Sequence, residues 1–436
     1  MLQGSGTCAV IDPARDPGIY LRAAEEAGLR ITHILETHLH ADFLSGHIDL
    51  ALATGAEIVA PASAKCDFPH LGVSEGDSII LEDIRIDVLE TPGHTPEHVS
   101  YVVTDTSRGE QPVGVFCGDT LFVGDAGRPD LFPGRAEELA GKLYSSLKKL
   151  TALPDHCEVY PAHGAGSLCG RAVGAKYTST IGYERLYNPV LQIEEREGLV
   201  ESLTTNMPPA PDHFSRCSEI NRKGPMPLEG PGDPQSLTPA EFLEESRVHG
   251  TMVVDVRSCS SFSAQHVPGS LNISTLGIPH IRRLGDPPEA ELLFVCDTAD
   301  HALETIRSFR MEGENRIRGY LQGGLFSWAM HGFPSARFLQ IFPDDLKGML
   351  DSGDDIVLVD VRGPGEYATG TIAGAVNIPA PDLRERYSEL DPGKRTILFC
   401  SSGHRSSLAA SILEGRGFTD LVHMSGGMAG WKALTG

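Results

Sequence analysis

The sequence predicts a multi-domain α/β protein: a two-sheet core flanked by helices, followed by two α/β domains with parallel sheets. Three observations carry this reading. At about 150 residues per domain, the 436-residue chain has room for about three. The second half of the chain contains one unit twice, which marks a duplicated domain. Hairpins mix with helices before the repeat, whereas strands and helices alternate inside it.

Composition narrows the function classes. Apolar residues make up 40% and charged residues 22%, as in ordinary globular material. Against 59 acidic residues stand 36 basic ones, a net charge of −23. A field of that sign repels phosphate backbones and anionic lipid, so neither nucleic acid nor a membrane surface is expected as a partner. No apolar run approaches the ~18 residues of a membrane span, and no basic-then-apolar leader opens the chain. The nine cysteines are odd in number, scattered and without a CxxC pair, which points to a reducing, cytoplasmic setting.

Taken in order, the first domain spans residues 1–207. It shows a helix near Ile19 to Gly28, strands at Thr32 to Glu36 and Glu57 to Ala60, and paired strands at Ser78 to Leu81 and Ile84 to Leu89. Strands at His98 to Val103 and Val113 to Cys117, a helix from Arg135 to Leu150 and a strand at Glu158 to Tyr160 follow. Residues 208–234, dense in Pro and Gly, read as a linker. Two copies of one unit come next, at 235–338 and 339–436. Asp255-Val256-Arg257 recurs as Asp360-Val361-Arg362, Asn272-Ile273 as Asn377-Ile378, Cys296 as Cys400, Gly323-Gly324 as Gly426-Gly427 and Trp328 as Trp431. Cys296 and Cys400 both follow apolar runs, at strand ends where parallel sheets place their ligands.

Four segments of the first domain place metal-binding side chains at strand-to-loop junctions. His38, His40 and Asp42 lie in Thr37-His38-Leu39-His40-Ala41-Asp42-Phe43, His94 in Pro92-Gly93-His94-Thr95, Asp119 in Cys117-Gly118-Asp119-Thr120, and His163 in Pro161-Ala162-His163-Gly164. Neutral imidazoles with a carboxylate make a metal site that leaves room for water or substrate.

This order of motifs resembles the metallo-β-lactamase superfamily over residues 7 to 205, which implies an αββα sandwich. Hydrolases of that superfamily such as glyoxalase II carry a second His after the motif Asp that helps hold a second metal; here Phe43 stands there. The stretch from Gly118 to Asp130 resembles the persulfide dioxygenase branch. That resemblance implies one Fe(II) per chain on His38, His94 and Asp119, with His40, Asp42 and His163 orienting ligands and waters. It aligns Arg185, with Tyr183 beside it, near the thiol carrier; a surface salt bridge is the other reading of Arg185. Arg128 and Asp130 read as a structural ion pair. Similar proteins carry a few tens of residues before the segment that begins here at Gly6, which implies that the first strands are missing.

Cys400 in Cys400-Ser401-Ser402-Gly403-His404-Arg405 sits at a strand end just before a helix. Successive N–H groups and the helix N-terminus there favour thiolate and bind anions. The loop resembles those of rhodanese sulfurtransferases, which implies Cys400 as sulfur carrier, Arg405 facing an oxyanion, and Gly403 and His404 lining the substrate site. Four residues between Cys400 and Arg405 suit a sulfur-sized pocket better than a phosphate-sized one. The middle copy is degenerate: Ala299 replaces Gly403, His301 replaces Arg405, and Asp297 and Asp300 oppose a thiolate at Cys296. It reads as a non-catalytic domain with an interdomain or dimer-forming role.

Together the resemblances imply oxidation of a low-molecular-weight persulfide (glutathione, coenzyme A or bacillithiol type) with O₂ to sulfite and thiol. Sulfane sulfur transfer through Cys400 would then give thiosulfate, in a homo-oligomeric enzyme of sulfide detoxification. Two rivals stay open: a zinc-dependent glyoxalase II-type thioester hydrolase fused to sulfurtransferase domains, and a sulfur-carrier scaffold without oxygenase turnover.

Overall fold

The computed structural model describes residues 1–171, 173–205, 207, 214–228, 234–273 and 290–436. They form two compact units, Met1–Leu228 and Glu229–Gly436.

In the first unit, strands such as Glu57–Pro61 and Val99–Asp105 are buried along nearly their whole length, so each sheet has two faces to cover. One sheet runs β1 (Leu2–Gln3), β2 (Thr7–Ile11), β3 (Arg30–Leu35), β4 (Glu57–Pro61) and β5 (Leu71–Val73) in that order. All its pairs are parallel except β1–β2. The other contains β6 (Ser78–Leu81), β7 (Ile84–Glu90), β8 (Val99–Asp105), β9 (Gly114–Gly118), β12 (Glu158–Pro161) and β13 (Ser179–Thr180), in the order β13-β12-β9-β8-β7-β6. A small hairpin, β10 (Leu121–Phe122) with β11 (Asp125–Ala126), projects between β9 and β12 in the chain. Ala9, Leu35 and Val59 of one sheet pack on Ile86, Val88 and Tyr101 of the other, which makes the inner core of the sandwich. Helices α1 (Gly18–Ala27) and α2 (His47–Thr54) cover the first sheet with Ala24 and Leu50. Helices α3 (Ala136–Leu150) and α5 (Arg196–Thr204) cover the second with Leu143, Leu147 and Leu199, and α4 (Ile181–Tyr187) adds Ile181. This is the αββα sandwich.

The predicted linker needs correction. Part of 208–234 is helix α6 (Phe214–Lys223), which belongs to the first unit. Its Asn221 is buried: Nδ2 donates to the carbonyls of His40 (2.8 Å) and Phe43 (2.9 Å), and Oδ1 accepts from Ser45 N (2.9 Å). Those bonds recruit the segment into the fold although its helix is mostly polar. Residues 208–213 and 229–233 of that stretch lie outside the described residues.

The second unit contains the duplication. Its strands are β14 (Gln235–Leu237), β15 (Thr251–Asp255), β16 (Leu271–Asn272), β17 (Glu291–Val295) and β18 (Ile317–Leu321), ordered β14-β18-β17-β15-β16. The second copy repeats that order with β19 (Leu339–Ile341), β20 (Val357–Asp360), β21 (Val376–Asn377), β22 (Thr396–Phe399) and β23 (Leu421–Met424) as β19-β23-β22-β20-β21. Every pair in both sheets is parallel. The helices are α7 (Pro239–Ser246), α8 (Cys259–Ala264), α9 (Ala299–Met311), α10 (Gly324–Met330), α11 (Pro343–Ser352), α12 (Pro364–Ala368), α13 (Leu383–Arg386), α14 (His404–Glu414) and α15 (Gly427–Thr435). One apolar cluster runs through both copies and contains Phe294 and Phe309 of the first with Leu398 and Leu413 of the second. Polar contacts add to it: His266 Nε2 lies 3.0 Å from Glu414, and Ser407 Oγ donates to Asn272 Oδ1 (2.6 Å). The middle copy therefore serves as packing partner for the last one.

Candidate metal centre and cysteine loop

The loop after β3 carries His38 and His40, but their side chains part company. Asp12, at φ +47°, turns its carboxylate to Thr37, accepting from Thr37 N (2.7 Å) and Thr37 Oγ1 (2.8 Å). The hydroxyl has then given its proton away, so toward His38 Nδ1, at 2.8 Å, it can only accept. His38 is thus held as the Nδ1–H tautomer with a bare Nε2. His94 reaches the same state because its Nδ1 lies 2.9 Å from the carbonyl of Arg128. Asp119 spends Oδ1 on His163 Nδ1 (2.8 Å) and turns Oδ2 toward His94 Nε2 (3.3 Å) and His38 Nε2 (3.8 Å).

His38, His94 and Asp119 are fully buried, and these three converging atoms have no hydrogen-bond partner. Stranding three buried polar atoms costs about 1–3 kcal/mol each, and a cation removes that cost. One ligand atom from each residue lies within 4.8 Å of the others. The donor set therefore fits a metal ion. Burial pushes His38 and His94 toward the neutral form a metal needs. Asp119 is held well below the ordinary carboxylate range, because His163, 2.8 Å from its Oδ1, outweighs its burial.

His40 is turned away, with Nε2 at 3.2 Å from Asp12 and 3.7 Å from Glu36. Burial disfavours its charge, but those carboxylates and Asp42 outweigh it and push the imidazole up to about 9. The Phe43 ring packs 4.3 Å from that of His40, centroid to centroid. His163 bridges Asp119 and Asp42, with Nε2 at 2.8 Å from Asp42. Against the opposing effect of burial, the two carboxylates push it up to about 11. Two further groups could hold an ion by spacing: Asp42 with His163 and Cys169, and Asp12 with Glu36 and His40.

Sequence reasoning missed Asp12, Glu36, Cys169 and His98. His98 is fully buried, accepts from Asp119 N (3.0 Å) and stacks on His38; burial pushes it down to about 3. A signal for it existed in Gly118, at φ +50°: a Cβ there would come within 2.5 Å of His98 Nε2. Arg128 and Asp130 form the bidentate pair at 2.7 and 2.8 Å. Arg185 is committed to Asp155 and to the carbonyls of Thr151 and Leu153, and Tyr183 is exposed beside Tyr187. The structure does not bring these two to the His38, His94 and Asp119 cluster by any contact. An apolar cavity of about 440 Å³ adjoins the motif loop, with Leu39, Ala41, Phe132 and Phe214 in its wall and Arg222 at its edge.

In the second unit, Cys400 follows β22 and is 1% exposed. Its Sγ accepts from Gly403 N (3.1 Å), and Ser406 Oγ lies 3.8 Å away while also contacting His423 Nδ1 (3.0 Å). Gly403, at φ +119°, starts α14, and His404 is the helix's first residue. Beneath the loop, a Cβ on Gly427 would fall 2.3 Å from the Cys400 carbonyl, which explains the repeated Gly-Gly. Arg405 pairs with Glu366 at 2.5 and 2.8 Å and donates to Ser401 Oγ (2.8 Å). That pairing, with burial opposing, holds Glu366 down to about 2. Cys296 in the middle copy is buried, and burial with Asp255 nearby pushes its thiol up to about 12.

Comparisons with known proteins agree with this division. The metallo-beta-lactamase superfamily profile matches residues 1–163, and the rhodanese-like domain profile matches 238–331 and 342–434. The hydroxyacylglutathione hydrolase of Rhodospirillum rubrum is 40% identical over 163 residues, 37% of this chain and 59% of that protein. That of Methylococcus capsulatus is 37% identical over 162 residues, 37% of this chain and 58% of that protein. The chain thus spans about three fifths of the length of these curated relatives. The crystal structure of a metallo-beta-lactamase from Staphylococcus aureus subsp. aureus COL superposes with a TM-score of 0.60 at 32% identity, covering 73% of this chain and 92% of that one. No helix among the described residues is long and apolar enough to cross a membrane.

Proposed function

We propose, for a chain that belongs to the metallo-beta-lactamase superfamily and continues into two rhodanese-like domains, that it oxidises a low-molecular-weight persulfide and transfers sulfane sulfur. The observation that carries this reading is the parting of the motif histidines. His38 joins His94 and Asp119 with three unpartnered atoms, while His40 faces Asp12 and Glu36. Two imidazoles and one carboxylate are the facial set of non-haem Fe(II) oxygenases. Iron so held would supply binding and electron transfer for O₂ and the persulfide sulfur; the overall change is RSSH + O₂ + H₂O → RSH + SO₃²⁻ + 2H⁺.

The chain's own groups set the geometry. Thr37 and the Arg128 carbonyl fix the two imidazole tautomers, and His163 holds Asp119 in place. The cavity beside Leu39 and Ala41, with Arg222 in its lining, would take the thiol carrier, of glutathione, coenzyme A or bacillithiol type. At Cys400, whose Sγ accepts from the Gly403 N–H, the sulfur attacks the outer sulfur of the persulfide substrate, and that S–S bond breaks to release the thiol carrier as thiolate. Sulfite then attacks that sulfur, the S–S bond breaks toward Cys400, and thiosulfate leaves. Buried Cys296, with its raised pKa, takes no part.

Sequence similarity favours a second reading over this one. The relatives named hydroxyacylglutathione hydrolase point to zinc-dependent thioester cleavage, with sulfurtransfer on the same chain. That chemistry would place a second ion near Asp42 and His163, where Cys169 rather than residue 43 could complete the donors. One experiment separates the two. Purified protein is analysed for metals and assayed for O₂ uptake with glutathione persulfide and for cleavage of a glutathione thioester. One iron with O₂ uptake upholds the first reading; two zincs with thioester cleavage replace it with the second.

A further inference from the structure

Cys400 is not alone at its loop. Cys259, the first residue of α8 in the middle copy, places Sγ 3.7 Å from Nδ1 of His404, the residue that ends the Cys400 loop. Ser258 caps that helix by accepting from Ser261 N (3.1 Å), which fixes where the thiol begins. The approach is built into the packing of the two copies. Ser407 Oγ donates to Asn272 (2.6 Å), Asn272 N donates to Ser411 Oγ (3.2 Å), and His266 pairs with Glu414 across the same seam. The two thiols differ in access: Cys400 is closed off, whereas Cys259 is only half-buried. Burial pushes the Cys259 thiol up, the Ser407 hydroxyl works against that, and charge on Cys400 adds to the rise. Cys259 therefore needs a base, and His404 Nδ1 is beside it.

We propose that Cys259 is a second sulfane-sulfur site, which takes sulfur from the Cys400 persulfide and carries it to the surface. This rests on the reading of Cys400 as a persulfide-forming thiol. In a persulfide the outer sulfur stands about 2 Å beyond Sγ, so loading Cys400 extends its reach. His404 Nδ1 removes the Cys259 proton and the thiolate attacks the outer sulfur. The S–S bond to Cys400 breaks with its electron pair returning to Cys400. The products are a Cys259 persulfide, a Cys400 thiolate and a protonated His404. No oxidant enters, since the sulfane sulfur only changes partners. The degenerate copy thus contributes a thiol where its own cysteine loop contributes none.

The test loads the full chain with thiosulfate, quenches with an alkylating agent at increasing times, and weighs the peptides carrying Cys400 and Cys259. The expected result is one added sulfur on Cys400 first and on Cys259 later, with both signals absent in Cys400→Ser. In His404→Gln the ratio of sulfurated Cys259 to sulfurated Cys400 should fall by about a hundredfold at early times, the lower end for losing a positioned base. Sulfur on Cys400 that never reaches Cys259 overturns the relay and leaves the Cys400 reading standing. Sulfur on Cys259 in Cys400→Ser overturns it too, by showing direct loading. A wild-type chain that sulfurates neither thiol removes the Cys400 reading and the relay with it.

Discussion

Thr37→Val tests whether the metal ligands are oriented before a metal arrives. Valine keeps the shape of threonine at a fully buried position and removes one hydroxyl. That hydroxyl donates to Asp12 at 2.8 Å and accepts from His38 Nδ1 at 2.8 Å. Asp12 retains Thr37 N at 2.7 Å and His40 at 3.2 Å, so its loss is modest. His38 Nδ1–H is left with no acceptor, and stranding one buried donor costs about 1–3 kcal/mol. The ring can escape by flipping or changing tautomer, which withdraws the bare Nε2 from the metal. Loss of such an outer partner lowers metal affinity by about 10–100-fold. Competition with a chelator of known strength, using ferrous and zinc ions in turn, reads that fall, and thermal unfolding of the metal-free protein reads the stability loss. Destabilisation with unchanged affinity for both ions would refute the claim that Thr37 sets the His38 tautomer.

Three other perturbations follow from the geometry. Glu366→Gln removes the partner of Arg405; with side chains 44% and 31% exposed, the pair is worth about 1 kcal/mol at most. Glu366 is depressed from 4.5 to about 2, so this contribution is complete above pH 4.5 and fades as pH falls toward 2; melting curves of the two proteins should converge in acid. Thiosulfate formation should fall about ten- to a hundredfold as Arg405 loses its orientation, measured as product from sulfite and a persulfide donor. Asn221→Ala strands Ser45 N and the carbonyls of His40 and Phe43, and should cost about 3 kcal/mol in denaturant unfolding with weaker metal binding. Phe43→His places an imidazole beside Asp42 and His163; total metal content should rise from one ion per chain to two, and a wild type that already holds two would show that Phe43 sets no limit.

The sequence made the layout legible where period and motif agree. Strands such as β7 and β8 alternate or run apolar, and the histidine motifs end strands, so a metal cluster was readable there, while the choice of His38, His94 and Asp119 within it came from the family resemblance. Helix α6 was not readable, because its buried face is short, Phe214 and Cys217 with Asn221, and the last of these bonds to a distant loop. The orientation of His40 was equally hidden: it depends on Asp12 and Glu36, neither of which sits in a metal-like motif. Phe43 departs from the His of the two-metal hydrolases, yet the similar curated proteins are named as hydrolases. One residue next to a motif decides less than the donors around it, here Cys169 among them.

The duplication shows which residues serve folding and which serve chemistry. In both copies a buried Arg clasps the Asp two residues before it and donates to a carbonyl eight residues on: Arg257 with Asp255 and Gln265, Arg362 with Asp360 and Gly370. In both, an Asn donates to the carbonyls flanking that motif, Asn272 to those of 255 and 257, Asn377 to those of 360 and 362. These pairs are buried, so losing one member would leave an uncompensated charge or carbonyl. Such residues persist in the degenerate copy because the fold fails without them. The Arg405–Glu366 pair behaves differently. Its counterparts are His301 and Ser261, so both charges are absent together. A half-exposed pair can vanish as a unit without harm to folding. The middle copy is thus free of catalytic demand on its own loop while its α8 still meets the loop of the other copy. Among the described residues, that meeting is where the proposed relay would draw on this copy, since Cys259 faces His404 there.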